Sequence, residues 1–170
     1  MGDLVGARTI AAETLARYRA AFGPRNPATL AVATNFTIIL RALGDRDEAY
    51  SIDQLTLREL RQAIGDDHPY TLAAMAGLAT DLALNHESAS ALALSKDLLK
   101  RAGEILGPDH PSTLGFAANL GLDLVAAGDT EAGEELRARA VAELSATGGE
   151  IVEEPLQAGR IACDIEPPES

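Results

Sequence analysis

Three histidines and one cysteine are the side chains of this sequence best suited to acid–base, metal-binding or nucleophilic chemistry. His68 and His110 each follow an aspartate and precede a proline, and each lies in one copy of the motif Asp-His-Pro-x-Thr-Leu. A metal site needs several ligands around one centre, whereas this recurrence puts the two histidines in equivalent loops of successive units. We therefore interpret both as helix caps and loop anchors, and we predict no metal site.

The other reactive side chains also fail to form a catalytic set. His86 lies in a predicted turn, and Cys163 has no neighbouring histidine or cationic cluster in the sequence. Asp81 and Asp123 are separated by the same interval as His68 and His110, so we expect solvated or groove-lining carboxylates of successive repeats rather than an acid–base pair. The sequence has neither a Gly-rich phosphate loop nor a Gly-x-Ser-x-Gly motif. We predict a non-enzymatic protein without catalytic residues or cofactors.

The charge and composition restrict the class of partner. The 170 residues include 26 acidic and 14 basic side chains, which gives a formal net charge of −12. This charge repels nucleic acid phosphates and anionic lipids, so we expect no nucleic acid and no membrane as partner. A single cysteine rules out an intrachain disulfide, and the sequence contains no apolar run of membrane-spanning length. The first residues do not show the basic and then apolar pattern that we would expect of a secretory leader. We expect a cytoplasmic protein.

An internal repeat in the sequence predicts the helices that position the histidines and aspartates discussed above. Three segments start at Gly23, Gly65 and Gly107, at equal offsets, and read GPRNPATL, GDDHPYTL and GPDHPSTL. The proline that all three segments share before the Thr-Leu pair suits the first turn of a helix, because the missing N–H of proline would have no partner there. Apolar residues then recur at intervals of three and four, which is typical of one helix face. We therefore predict that each unit forms two helices joined by a short turn.

The repeat register predicts seven helices and no β-sheet. The turns at Gly44-Asp45 and Gly128-Asp129 supply a residue that tolerates the left-handed conformation and then a carboxylate to cap the next helix. In the middle unit, Asn85-His86 replaces the glycine, and we expect Asn85 to approach the left-handed conformation. The predicted helices span residues 3–22, 27–43, 46–63, 69–84, 87–105, 111–127 and 130–146.

The same register divides the chain into a partial repeat, three full repeats and a tail. We expect residues 1–22 to be the second helix of a truncated repeat whose first helix is missing. Residues 149–170 are predicted to form an acidic C-terminal cap and tail, with a short helix near 154–161. The three full repeats are predicted at residues 23–64, 65–106 and 107–148.

The repeated motifs resemble a known family. The sequence is similar to the long-loop, 42-residue tetratricopeptide repeats of the kinesin light chain type in the motifs Ile105-Leu106-Gly107-Pro108-Asp109-His110-Pro111-Ser112-Thr113-Leu114, Asn119-Leu120-Gly121 and Gly128-Asp129-Thr130-Glu131-Ala132. Departures from the family pattern are Asn26, Gly77 and His86. The resemblance covers about residues 3 to 148 and implies an all-α fold, an α-α superhelix (TPR solenoid) of antiparallel helix pairs. Versions with Thr-Leu after the proline also resemble arrays at the C-termini of actinobacterial STAND-type NTPases and in the tetratricopeptide protein of FxSxx-COOH peptide systems.

The resemblance also implies a concave groove, lined by the first helix of each pair, that holds a peptide or protein segment. Asn35 and Asn119 resemble asparagines that hold a peptide backbone in related grooves, although each could instead bond a neighbouring turn. Small groove residues leave room for a ligand, and Asp81 and Asp123 favour a basic or neutral segment. The groove positions carried over are Thr34, Asn35, Ile38, Arg41, Ala73, Gly77, Thr80, Asp81, Gly115, Asn119, Leu122 and Asp123.

Three functional hypotheses are consistent with these patterns. The leading one is a non-catalytic protein–protein interaction module that binds a peptide or protein segment in the groove. The alternative is a sensor or regulatory arm of a multidomain NTPase that packs on its own catalytic domains. A third, scaffolding through the ends of the array, would leave the groove empty. Because the helix at residues 1–22 lacks the partner helix that should cover its apolar residues, we also expect this face to be covered by a second copy, as a homodimer, or in the parent protein by the preceding repeat.

Overall fold

The computed structural model describes residues 4–147 and 159–162. Within these ranges it contains no β-strand, which confirms the all-α prediction, and every predicted helix is present with its ends within one residue of the expected bounds. Consecutive helices pack on each other, as expected for a tetratricopeptide-type arrangement. The seven helices are α1 (Leu4–Phe22), α2 (Pro27–Leu43), α3 (Arg46–Ile64), α4 (Pro69–Leu84), α5 (Ser88–Ile105), α6 (Pro111–Ala126) and α7 (Thr130–Ala146).

The described residues divide into two compact units, with the boundary inside α4. Residues 4–78 belong to unit 1, and residues 79–147 together with 159–162 belong to unit 2. None of the described helices combines the length and the apolar character needed to cross a membrane.

One apolar cluster in the core of unit 1 is formed by α1, α2 and α3. Leu15 is the buried residue of α1, and its neighbours in the core come mainly from α2. Burial of these side chains provides the main driving force for pairing the helices. Other apolar residues of α1 remain accessible, including Ile10 at 68% and Phe22 at 57% exposure. The buried cluster comprises Leu15, Val32, Ala33, Phe36, Leu40 and Ala49.

The core of unit 2 depends on a close approach of α6 and α7. A Cβ atom added to Gly121 would lie 2.6 Å from the carbonyl oxygen of Gly133, so both positions require the absence of a side chain. The apolar cluster beside this contact also contains a residue from outside the helices, Ile161, which is 7% exposed. The other buried members are Leu114, Ala117, Ala118, Ala140 and Leu144.

Side chains at one repeat position cap the three helices that begin with proline, α2, α4 and α6. Asn26 Oδ1 accepts from the Ala28 N–H at 2.9 Å, and His110 Nδ1 accepts from the Ser112 N–H at 3.1 Å. His68 Nδ1 accepts a bond of the same kind at 3.1 Å. The interpretation of His68 and His110 as caps is therefore confirmed, and Asn26 performs the same task without an imidazole.

The carboxylate caps expected for the second helices are absent. Asp45 and Asp129 stand at the N-caps of α3 and α7, but neither side chain makes a capping hydrogen bond. Their ψ angles are 56° and 67°, whereas the capping residues Asn26 and His110 have ψ angles of 134° and 136°. The extended backbone is the conformation that turns an N-cap side chain towards the free amides, so the prediction for Asp45 and Asp129 was wrong.

The turn between α4 and α5 differs from the prediction in one residue. His86, not Asn85, adopts the left-handed conformation, with φ of 63°, at the position where Gly44 has 86° and Gly128 has 94°. The same hydrogen bond closes each turn: the Glu87 N–H donates to the Leu82 carbonyl at 2.9 Å, as its counterparts do in the other two turns. The turn geometry is thus kept, although it strains the histidine backbone.

The tail differs from the helix expected near residues 154–161. Gly159 lies in a turn with φ of 73°, and residues 160–162 are not helical. Residues 154–158 and Cys163 lie outside the described residues, and a helix over 154–158 stays a prediction.

Candidate functional site

The side-chain amide of Asn119 on α6 holds the main chain of the non-helical segment 159–162. Asn119 Oδ1 accepts from the Ile161 N–H at 2.8 Å, and Asn119 Nδ2 donates to the Ile161 carbonyl oxygen at 2.9 Å. One amide therefore satisfies both main-chain groups of a single residue, as a neighbouring β-strand would. Asn119 is 5% exposed, so this contact is buried.

The buried side chain of Arg160 binds an acidic residue near Asn119. Its Nη1 and Nη2 donate to Asp123 Oδ1 and Oδ2 at 2.7 and 3.0 Å, and its Nε donates to Thr80 Oγ1 at 3.2 Å. Ser95 Oγ also donates to Asp123 Oδ2, at 2.6 Å, and so helps to orient the carboxylate. Arg160 is 3% exposed and Asp123 is 1% exposed, so the ion pair is shielded from water.

Helix α7 contributes a third polar contact to the same segment. Arg137 Nη2 donates to the Gly159 carbonyl oxygen at 2.9 Å. We refer to Thr80, Asn119, Asp123 and Arg137 as the Asn119 site. These residues come from α4, α6 and α7, and together they bind the main chain and the cationic side chain of residues 159–161.

A small cavity adjoins the ion pair. It has a volume of about 130 Å³ and includes Asp123 and Arg160 in its wall. Leu122, one of the predicted groove residues, also lines it. The remaining lining residues are Ala83, Leu84, Ser88 and Ala126.

In unit 1 the predicted groove residue Arg41 binds an internal partner. Arg41 Nη1 lies 2.6 Å from Asp53 Oδ2, and Thr37 Oγ1 donates to Asp53 Oδ1 at 2.9 Å. Arg41 and Asp53 are 3% and 0% exposed. The only basic residue among the predicted groove positions therefore already binds a carboxylate of its own chain.

We expected Gly77 to leave space for a ligand, but the Asp53 side chain lies against it. A Cβ atom at this position would lie 2.6 Å from Asp53 Oδ2, so the carboxylate fills the volume next to the glycine. Gly77 occupies the repeat position of Asn35 and Asn119. The departure from the family pattern at Gly77 thus accommodates Asp53.

The other predicted site residues are distributed over both units. Asp81 and Asp123 are 2% and 1% exposed, so neither carboxylate is solvated, and the groove-lining alternative stays a prediction. The structure brings Thr80, Asn119 and Asp123 together around residues 159–161. Asn35, Ile38 and Leu122 are half-buried, whereas Thr34, Ala73 and Gly115 are buried. The ligand role of all these residues stays a prediction.

Sequence reasoning missed one polar position of the second helices. Asp53, Ser95 and Arg137 occupy the same place in successive repeats, and each contacts a polar group contributed by another element of its unit. The sequence did contain a signal for this position: three polar residues of different charge stand at one repeat position in the middle of a helix. Among the described residues, no group of three or more histidine, cysteine or acidic side chains could hold a metal ion.

Consecutive helix pairs with a regular repeat period define an α-helical repeat protein. Residues 29–70 and residues 71–112 each match the family model described as tetratricopeptide repeat. The chain is therefore a tetratricopeptide-repeat protein. A search of curated proteins finds no match. Tetratricopeptide repeats generally mediate protein–protein interactions and are typically non-catalytic.

Proposed function

We propose that this chain is a protein-interaction module that binds an extended peptide or protein segment at the Asn119 site. The observation that supports this most strongly is the pair of hydrogen bonds, 2.8 and 2.9 Å long, between the Asn119 amide and the main chain of Ile161. The amide itself contacts the main chain and not the side chain, which suits a site for peptides, so any side-chain preference comes from the surroundings of Ile161.

The charge of the site favours a basic or neutral segment over an acidic one. Asp123 is 1% exposed and its carboxylate is paired with Arg160. An acidic side chain in place of Arg160 would put two like charges together in a poorly solvated position.

A random heptapeptide array tests the proposal. We would probe it with the chain carrying Arg160→Ala and Ile161→Ser, hereafter the vacated variant, and with the same variant that also carries Asn119→Ala. We expect a set of bound peptides that is enriched in basic residues and lost with Asn119→Ala, while both proteins keep their helical circular dichroism. A vacated variant that is helical but binds no peptide would refute the proposal, as would a peptide set that does not depend on Asn119.

The regulatory-arm alternative has one observation in its favour. The occupant of the Asn119 site belongs to the same chain, as an arm that contacts its own protein would require. In that case, the vacated variant should bind a purified catalytic domain of the parent protein more tightly than it binds any peptide on the array.

We further propose that α1 mediates self-association. Val5 and Ile10 are 69% and 68% exposed, and exposed apolar area of this kind is stabilised by a partner. Leu15 is 3% exposed and is unsuitable for a test, because Leu15→Glu would disrupt the core. We expect light scattering to detect a dimer that dissociates with Val5→Glu and Ile10→Glu. A strict monomer at high concentration would contradict this proposal.

A further inference from the structure

We propose that the Asn119 site selects an arginine followed by a branched aliphatic residue in an extended chain, and that residues 159–162 are an internal copy of this motif. The inference rests on the function proposed above and adds which side chains the site recognises. A partner that carries the same two residues binds by displacing the internal segment.

Selection of arginine follows from the arrangement of the acceptors. The two oxygens of Asp123 accept from two guanidinium nitrogens of Arg160, and Thr80 Oγ1 accepts from a third. A planar guanidinium can satisfy this set at once, whereas the ammonium group of lysine is a point charge that cannot form the paired contact. The site therefore discriminates against lysine as well as against neutral residues.

The carboxylate that receives the arginine is fixed in place before the ligand binds. Ser95 Oγ donates to Asp123 Oδ2 at 2.6 Å, and Ser95 itself is 3% exposed. If Arg160 leaves and nothing replaces it, a carboxylate that is 1% exposed loses its counter-charge, which is unfavourable. Exchange is therefore favoured when the incoming segment supplies a cation of its own.

Selection of the aliphatic residue follows from the surroundings of Ile161. Asn119 holds both main-chain groups of this residue, so the register of the segment is fixed and the side chain must enter the apolar cluster. The cluster contains Leu114, Ala117 and Leu144. A polar side chain would lose water there without gaining a partner.

The residue before the arginine is also restricted. Gly159 has φ of 73°, a conformation that glycine adopts readily and other residues do not, and its carbonyl oxygen accepts from Arg137. The preferred motif is therefore Gly-Arg followed by isoleucine, valine or leucine.

Comparison with unit 1 explains why the segment in unit 2 is exchangeable. In unit 1, the buried carboxylate of Asp53 is paired with Arg41, which is part of helix α2. In unit 2, the cation for Asp123 comes from a segment outside the helices. The backbone that carries Arg41 can move away only if α2 unfolds or separates from its neighbours, whereas a non-helical segment leaves when a few contacts break.

Fluorescence anisotropy with short peptides tests the motif. The probe is a labelled, C-terminally amidated peptide, Ala-Gly-Arg-Ile-Ala, which repeats residues 158–162. We expect it to bind the vacated variant about tenfold more tightly than the unchanged chain, where the internal segment competes. Peptides with Arg→Lys, Arg→Ala or Ile→Ser should bind the vacated variant about tenfold or more weakly. Arg139→Ala, at an exposed arginine of α7, serves as the control for loss of a positive charge.

The outcomes separate this inference from the proposed function. If the vacated variant binds array peptides through Asn119 but does not distinguish arginine from alanine, the motif is refuted and the proposed function stands. If it is helical and binds neither the array nor the labelled peptide, both fail.

A second measurement does not depend on the folding of the vacated variant. The Ile161 amide is hydrogen-bonded to Asn119, so its hydrogen exchange in the unchanged chain reports on displacement of the segment. We expect excess Ala-Gly-Arg-Ile-Ala to accelerate this exchange and the Arg→Ala peptide to leave it unchanged. No acceleration at high peptide concentration would mean that residues 159–162 are a structural cap, and the inference would be wrong.

Discussion

Ile161 occupies the repeat position that follows Asn119 in the register, and the Asn119 side chain holds its main chain with hydrogen bonds of 2.8 and 2.9 Å. The register would assign Ile161 to the corresponding groove position of a further repeat. Instead, the residue is non-helical and is bound by its counterpart in the preceding repeat. The chain thus contacts itself in the manner that we propose for a partner.

Loss of the cation in the Asn119 site should destabilise the chain. We expect Arg160→Ala to lower the free energy of unfolding by about 2 to 4 kcal/mol, because it leaves the Asp123 carboxylate buried without its partner. Adding Asp123→Asn should recover at least half of this loss, since the remaining amide is neutral. Urea denaturation measures both effects, and Arg139→Ala should stay within about 0.5 kcal/mol of the unchanged chain. Equal stability of the Arg160→Ala and unchanged chains would contradict this account of the ion pair.

Two helical glycines should respond to alanine with opposite signs. Gly77→Ala places a Cβ atom 2.6 Å from Asp53 Oδ2, so we expect a loss of about 1 to 3 kcal/mol. Gly103 in α5 has no atom within 4 Å of its Cβ position, so Gly103→Ala should stabilise the chain by about 0.5 to 1 kcal/mol through its higher helix propensity. Thermal or urea unfolding of the two variants tests the close contact at Gly77. A neutral Gly77→Ala would show that Asp53 can move aside.

Replacing the strained histidine of the middle turn should stabilise the chain. His86 has φ of 63° at a position where the other repeats have glycine, so we expect His86→Gly to raise the free energy of unfolding by about 0.5 to 1 kcal/mol. The converse change, Gly128→Ala, should destabilise by about 1 kcal/mol, because φ is 94° there. Denaturation midpoints compare the variants. If His86→Gly is destabilising, the histidine makes a contribution beyond the turn.

The capping role of His110 can be separated from any chemical role of an imidazole. We expect His110→Ala to cost about 1 kcal/mol, because the Ser112 N–H loses its acceptor at 3.1 Å. His110→Asn should retain most of the stability, since Asn26 caps α2 with a bond of 2.9 Å at the same repeat position. Urea denaturation distinguishes the two substitutions. Equal losses for alanine and asparagine would argue against capping.

The sequence was sufficient to predict the helices and the caps because these depend on local interactions. The proline at the first turn, the apolar spacing of three and four, and the glycines of the turns act within a few residues, and the repeat presents each signal several times. The seven helices therefore lie within one residue of their predicted bounds. Even here, backbone torsions overrode residue type at Asp45, whose carboxylate does not cap α3.

The interactions of the candidate site were decided only by the tertiary structure. Residue types show that Asn119 can hold a main chain and that Asp123 is acidic. They do not show that Arg160 binds Asp123 or that Ile161 binds Asn119, because these contacts span 37 and 42 residues. The same holds for Arg41 and Gly77, which the sequence indicated as groove residues. In the structure Arg41 forms an ion pair with Asp53 of α3, and the Asp53 carboxylate lies against Gly77. The physical reason is that a buried charge must find a counter-charge, and which one it finds depends on distances across the packed helices rather than along the chain.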